Sequence, residues 1–160
     1  MQITPRIVAI AITIALAVGT LLYALQPSSF QREEESAEAA LIFLNYSDID
    51  VYAAVSPAQY PPNQGYGASA GAGPHAGGGI MCCIELPVKW RPGIKMRVMY
   101  QFGDEPKEKW YTKVVELPPY PDDRAGDVVL SFFPDRSFEL ISATYIPGHP
   151  RWPGKMKTLP

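Results

Sequence analysis

Hydrophobic residues follow two different patterns along the chain, one near its start and one after residue 40. Residues 7–25 read IVAIAITIALAVGTLLYAL and contain no charged side chain. As a helix rising about 1.5 Å per residue, this segment would span about 28 Å, close to the thickness of a bilayer's hydrocarbon core. The pattern predicts a membrane anchor in residues 1–25.

After residue 40, short apolar runs alternate with turn residues, and no run follows the helical period of about 3.6. The Pro-Asp-Arg-Ser turn at 134–137 predicts a hairpin between runs 128–133 and 138–145. The clearest strand is 95–102, where large apolar side chains occupy every second position: Met96, Val98, Tyr100 and Phe102. The pattern predicts an all-β fold, a small antiparallel β-sandwich or barrel-like domain of about seven strands.

Composition divides the chain after residue 25 into three further segments. Residues 26–39 are polar and predict a tether, with residues 40–160 as the β-domain. Within that domain, 56–79 is rich in glycine and proline and predicts a long loop. Residues 146–160 form a proline-rich C-terminal tail, in which Trp152 is expected to be exposed.

Charge predicts how the anchor is oriented. Arg6 precedes the apolar segment, whereas the acidic run Glu33–Glu35 follows it. Because positive charge stays on the cytoplasmic side, we expect a single-pass inner-membrane protein with its C-terminal domain in the periplasm. Cleavage of the segment as a signal peptide is the alternative. The net charge of −2, without a basic stripe, argues against binding to nucleic acid.

Both cysteines, Cys82 and Cys83, follow the glycines Gly77, Gly78 and Gly79. If this block joins a loop to a strand, adjacent side chains point to opposite faces, and one sulfur fills a core site. A disulfide between neighbouring residues is the alternative in an oxidising compartment. The Trp-Arg-Pro-Gly sequence that ends with Pro92 and Gly93 is expected to close a hairpin to the next strand.

Candidate catalytic residues are few. His75 and His149 each lie in a Gly/Pro-rich loop, without nearby partners for a zinc site or a catalytic dyad. Ser69 matches GxSxG, but neither the preceding strand nor the following helix of a nucleophile elbow is predicted. We therefore expect no catalytic residues, no metal site and no cofactor.

The motifs taken together resemble a family of short bacterial envelope proteins, many of them lipoproteins, classified as a domain of unknown function. The resemblance extends over about residues 46–150. Where many members have a lipid-attached cysteine, this chain has the apolar segment 7–25, which predicts a helix. The matching pieces are Gly77–Gly79, Cys82–Cys83, Leu86–Pro87, Trp90, Pro92–Gly93 and Tyr145–Pro150.

The resemblance implies an immunity protein, because similar proteins are encoded beside type VI secretion lipase effectors. The expected partner is a cognate phospholipase effector, bound in the periplasm and neutralised by occlusion. The alternative is a structural accessory protein that docks onto a secretion or cell-wall assembly. The candidate contact residues lie mostly in loops: Tyr66, His75, Trp90, His149 and Trp152.

Overall fold

The computed structural model describes residues 35–61 and 67–160. The predicted anchor in residues 1–25 lies outside these ranges. Within them, no helix has the length and apolar character needed to cross a membrane.

The described residues form eight strands in two four-stranded sheets, which confirms the all-β prediction. Sheet A has the strand order β4-β1-β7-β8 and sheet B the order β3-β2-β5-β6. The strands are β1 (Ser36–Asn45), β2 (Val51–Pro57), β3 (Ala68–Ala72), β4 (Ala76–Pro87), β5 (Lys95–Phe102), β6 (Tyr111–Glu116), β7 (Asp127–Phe132) and β8 (Phe138–Ala143).

One pair departs from the predicted antiparallel arrangement. β1 and β7 run parallel, with Leu41 opposite Val128 and Asn45 opposite Phe132. All other strand pairs are antiparallel. Parallel neighbours need a crossover connection, and here the chain between them passes through all of sheet B. Sheet A is therefore mixed.

Two predictions about the first strands were wrong. β1 begins at Ser36, so the C-terminal end of the predicted tether 26–39 belongs to the sheet. Its first residues pair with β4, where Ser36 lies opposite Pro87. In the sequence, the turn signal at 47–50 separates the apolar runs 41–46 and 51–55 and predicts that they pair as neighbouring strands. Instead β1 lies in sheet A and β2 in sheet B.

The predicted loop 56–79 is also partly wrong, because it contains β3 and the start of β4. β3 pairs with β2 from Ala68 opposite Val55 to Ala72 opposite Val51. Likewise, the turn that ends at Gly93 does not close a hairpin. It carries the chain from β4 in sheet A to β5 in sheet B.

The main core lies between the two sheets. Met96, Val98, Tyr100 and Phe102 are buried, as the alternation in β5 predicted. Aromatic rings connect the sheets, with the Tyr100 and Phe132 centroids 5.4 Å apart. One continuous buried cluster joins side chains from both sheets, so the fold is a β-sandwich.

A second buried cluster lies on the outer face of sheet A, where the C-terminal tail packs. Trp152 is only 4 % exposed and belongs to this cluster with Leu44 and Val129. Its indole Nε1 donates to the carbonyl of Met156 at 2.6 Å, and the Tyr46 hydroxyl donates to that of Thr158 at 2.8 Å. The expectation that Trp152 is exposed was wrong, because the tail covers a sheet face that would otherwise meet water.

Asn45 holds three chain segments together at one end of the sandwich. The fully buried side chain donates from Nδ2 to the carbonyls of Ile49, Ala72 and Gly73, at 2.7, 3.2 and 2.8 Å. Its Oδ1 accepts from the backbone N–H and the hydroxyl of Ser47. These bonds satisfy backbone groups where the chain leaves β1 and where β3 ends.

Candidate binding surfaces

The outer face of sheet B is exposed to solvent, whereas that of sheet A is largely covered by the C-terminal tail and stays open at Ile80 of β4, which is 72 % exposed. Alternation along β2 turns Val51 and Ala53 into the core and places Tyr52 on the outer face. By the same rule, β5 contributes Met99 and β6 contributes Val114. Tyr52 is 50 % exposed and Val114 54 %, and Trp110, just before β6, is 47 % exposed.

Small side chains characterise β2 and β3, and the charged residues of this face, Lys95, Arg97 and Glu116, belong to β5 and β6. Neither β2 nor β3 contains a charged residue. Gly71 lies beside Tyr52, where a Cβ would be 2.7 Å from the ring. The guanidinium of Arg97 donates to the carbonyls of Ala58 and Tyr60, at 2.9 and 2.6 Å. Two of its N–H groups are therefore already hydrogen-bonded within the domain. The result is a broad surface with a few protruding apolar groups.

The loop candidates from the sequence lie in separate parts of the fold. Tyr66 lies outside the described residues. His75, in the turn between β3 and β4, has its Nε2 2.7 Å from the Asp48 carboxylate, and its φ of 48° is left-handed. Trp90 is half-buried against the main core and donates from Nε1 to the Leu117 carbonyl at 2.9 Å. These contacts give Trp90 a structural role.

His149 forms an ordered surface cluster with the residues around it. Its ring stacks on Tyr145, with the centroids 3.9 Å apart and the planes 4° from parallel. The Nδ1 atom accepts the backbone N–H of Arg151 at 3.1 Å, so the neutral ring carries its proton on Nε2. The Arg151 guanidinium also pairs with Asp122 and bonds the Tyr145 hydroxyl. This cluster fixes the first part of the tail.

Cys82 and Cys83 form a disulfide in the middle of β4, and the peptide bond between them is cis. Cys82 is exposed and Cys83 half-buried. The expectation that one sulfur fills a core site was therefore wrong. The buried side chains of β4 are those of Ile84 and Leu86, farther along the strand.

Four other motif residues line a cleft of about 180 Å³ at the end of β4. Leu86, Pro87, Pro92 and Gly93 contribute to it. Gly93 has a φ of 88°, which favours glycine, and its N–H donates to the Glu116 carboxylate at 2.8 Å. The Trp-Arg-Pro-Gly turn is thus fastened to the end of β6.

Ionisable groups join the β5–β6 loop to the β7–β8 hairpin. The hydrogen bond from Lys109 to Glu105, 2.9 Å long, is the main factor that lowers the pKa of this carboxyl, and a bond from Tyr111 lowers it further. Arg136, in the hairpin turn, pairs with Asp104 and lies 3.5 Å from Glu105. The network holds two neighbouring connections together.

Among the described tyrosines, Tyr120 has the hydroxyl whose pKa is raised most. It lies in the main core, 5 % exposed, and burial raises the pKa of its hydroxyl to about 12. Among the residues that the structure describes, none lies within hydrogen-bonding distance of this hydroxyl. Such a group costs free energy in the folded state.

The exposed residues of the sheet B face were not among the predicted contact residues, although the sequence contains a signal for them. In β5 the alternation that turns Val98 and Tyr100 inward turns Met99 outward. The run VYAAV likewise has Tyr52 between two buried residues. The contact surface was expected in loops, whereas the outward half of the strand pattern points to the strands of sheet B.

A comparison with known families identifies the chain over residues 52–140, more than half of its length, as a protein of unknown function (DUF3304). The chain belongs to this family. The matched region begins at the second residue of β2 and ends in β8, so it includes nearly all of sheet B and the Cys82–Cys83 pair. It ends before the Tyr145–Pro150 motif. No curated protein and no solved structure matches the chain.

Proposed function

We propose that this DUF3304 domain is a protein-binding module and that the outer face of sheet B is its docking surface. One observation carries the proposal. The tail covers much of the outer face of sheet A, where Ile80 of the edge strand β4 stays exposed, whereas the corresponding face of sheet B exposes Tyr52 and Val114 beside two strands without charged residues. Interface centres are depleted of charge and enriched in aromatic residues and methionine, which fits Tyr52 and Met99.

The partner that we propose is a phospholipase effector of a type VI secretion system. This choice rests on the resemblance of the glycine, double-cysteine and Trp-x-Pro-Gly motifs to immunity proteins. In this account residues 7–25 anchor the chain in the inner membrane, and the domain meets the effector in the periplasm. The domain acts by occlusion, without catalysis of its own.

The size of the face sets a requirement on the interface. Four strands about 4.8 Å apart and roughly 20 Å long offer roughly 300–400 Å² in projection. A standard interface buries about 800 Å² on each partner. The contact must therefore extend beyond the sheet, and exposed Trp110 at its border is well placed to contribute.

The test is affinity purification of the tagged full-length chain from the cells that naturally produce it, followed by mass spectrometry of the proteins that co-purify. The wild-type chain is compared with Tyr52→Arg. Leu159→Arg is the matched control. Leu159 is 56 % exposed in the tail, so its replacement adds the same charge at a place outside the sheet B face. Thermal unfolding checks that both variants fold.

We expect the wild type and L159R to retain one lipase at near-stoichiometric yield. Loss of an exposed aromatic contact should weaken Y52R binding by about 30-fold or more, the effect of an interface hot spot. Equal retention by Y52R would reject this face. Recovery of secretion-machinery or cell-wall components instead of a lipase would favour the structural accessory function.

A further inference from the structure

A group of three potential metal ligands lies on sheet A and includes the two cysteines of the disulfide. Glu38 is an exposed residue of β1, the strand that pairs with β4. One of its carboxylate oxygens and the sulfur atoms of Cys82 and Cys83 all lie within 4.8 Å of one another. Three potential metal ligands from two strands thus meet at one place on the surface.

This disulfide contributes little as a crosslink. It joins neighbouring residues, so it closes almost no loop and restricts the unfolded chain only slightly. Neither sulfur supports the main core, because Cys82 is exposed and Cys83 half-buried. An exposed disulfide is open to attack by a small thiol. Because the buried side chains of β4 are those of Ile84 and Leu86, we expect the strand to stay in place after reduction.

We propose that the reduced pair, together with Glu38, binds a thiophilic divalent cation of the zinc or cadmium type. A dithiol reductant first gives two electrons and two protons to the S–S bond and is itself oxidised to a disulfide. The cation then displaces the two thiol protons and forms two metal–sulfur bonds. The Glu38 carboxylate supplies a third ligand, and water occupies the fourth position.

The ligand chemistry favours this class of ion. Thiolates select soft or borderline metals, and zinc accepts sulfur and carboxylate oxygen in one four-coordinate site. Two thiolates and one carboxylate carry three negative charges, which the divalent cation partly neutralises. The site forms only in the reduced chain, since the disulfide sulfurs have no thiolate charge to donate. This inference is independent of the proposed effector partner.

The test uses full-length protein, reduced with a dithiol, freed of reductant under anaerobic conditions and titrated with cadmium. The ultraviolet charge-transfer band of cadmium–thiolate bonds reports binding. The variants are Glu38→Gln, Cys82→Ser and Cys83→Ser. Glu85→Gln is the matched control, because Glu85 lies directly opposite Glu38 in the β1–β4 register but outside the three-ligand group.

We expect one cadmium per reduced chain and none per oxidised chain. Either serine variant should abolish the one-to-one complex. E38Q should weaken binding at least about tenfold, because loss of even an outer-shell partner of a metal ligand costs about that much affinity. E85Q should bind nearly as the wild type does. All four altered residues are exposed or half-buried, so the variants should keep the wild-type thermal midpoint.

Three results would overturn the proposal. The first is a reduced wild-type chain that binds no cadmium. The second is equal weakening by E38Q and E85Q, which would show only a change in the local electric field. The third is a stoichiometry of one cadmium per two chains, because the cysteines of separate molecules would then share the ion.

Discussion

Replacement of Asn45 by alanine tests the polar contacts that hold β1, the following turn and the end of β3 together. The substitution removes the donor for three carbonyl oxygens and the acceptor for two Ser47 donors. Asn45 itself is fully buried, so water does not readily replace the lost partners. We therefore expect a large loss of stability.

The magnitude follows from the hydrogens available to these contacts. Nδ2 carries two hydrogens, so its three carbonyl contacts amount to about two full hydrogen bonds, and the two Ser47 donors bring the total to about four. At a net of about 1 kcal/mol each these bonds give roughly 4 kcal/mol, and we expect a loss of about 3–5 kcal/mol. A domain of this size has a total stability of about 5–15 kcal/mol. The urea midpoint should fall by roughly 2 M at an unchanged slope.

The assay is urea unfolding of the full-length chain, followed by tryptophan fluorescence. Ser69→Ala is the control, since this exposed β3 serine should change stability by less than about 0.5 kcal/mol. Asn45→Asp keeps the side-chain shape but sets a carboxylate against three carbonyl oxygens. Acidification protonates that group and should recover part of the lost stability. A loss below about 1 kcal/mol in N45A would refute this reasoning.

Three further substitutions test separate parts of the fold. Gly154→Ala should cost about 1–3 kcal/mol, since its Cβ would overlap the buried Trp152 ring, whereas Gly77→Ala meets only ordinary contacts and should cost much less in a urea titration. Tyr120→Phe removes a buried hydroxyl without a described partner and should keep or raise the thermal midpoint, so a drop of several degrees would contradict this. The Glu105 carboxyl has a lowered pKa, so its stabilising contribution is present above the ordinary value of 4.5 and is lost as the pH falls. The wild-type advantage in thermal midpoint over Glu105→Gln should therefore shrink on acidification, and a constant advantage would count against the network.

Strands with large alternating side chains were predictable from the sequence, and strands of small residues were not. β5 has four large apolar side chains at every second position, all buried. β3 reads ASAGA and has no comparable apolar signal. It forms because it pairs with β2 along its whole length, with Gly71 making room for Tyr52. Such a strand depends on its partner more than on its own composition.

Contacts between residues distant in sequence explain the other errors. The parallel β1–β7 pair joins segments separated by all of sheet B, and no local pattern indicates it. The tail has the prolines of an exposed segment, yet Trp152 and the Tyr46–Thr158 bond fix it to sheet A. The outward positions of β2 and β5 were readable from the strand alternation, but which sheet face the tail covers became visible only in the fold.

The central claim, occlusion of a phospholipase by this domain, is tested most directly by lipid hydrolysis. The lipase recovered with the full-length chain is assayed on phospholipid vesicles with increasing amounts of wild-type chain or Y52R. The account predicts that activity falls to near zero at about one wild-type chain per enzyme and that Y52R needs a much larger excess. Undiminished hydrolysis at saturating wild-type chain would contradict it.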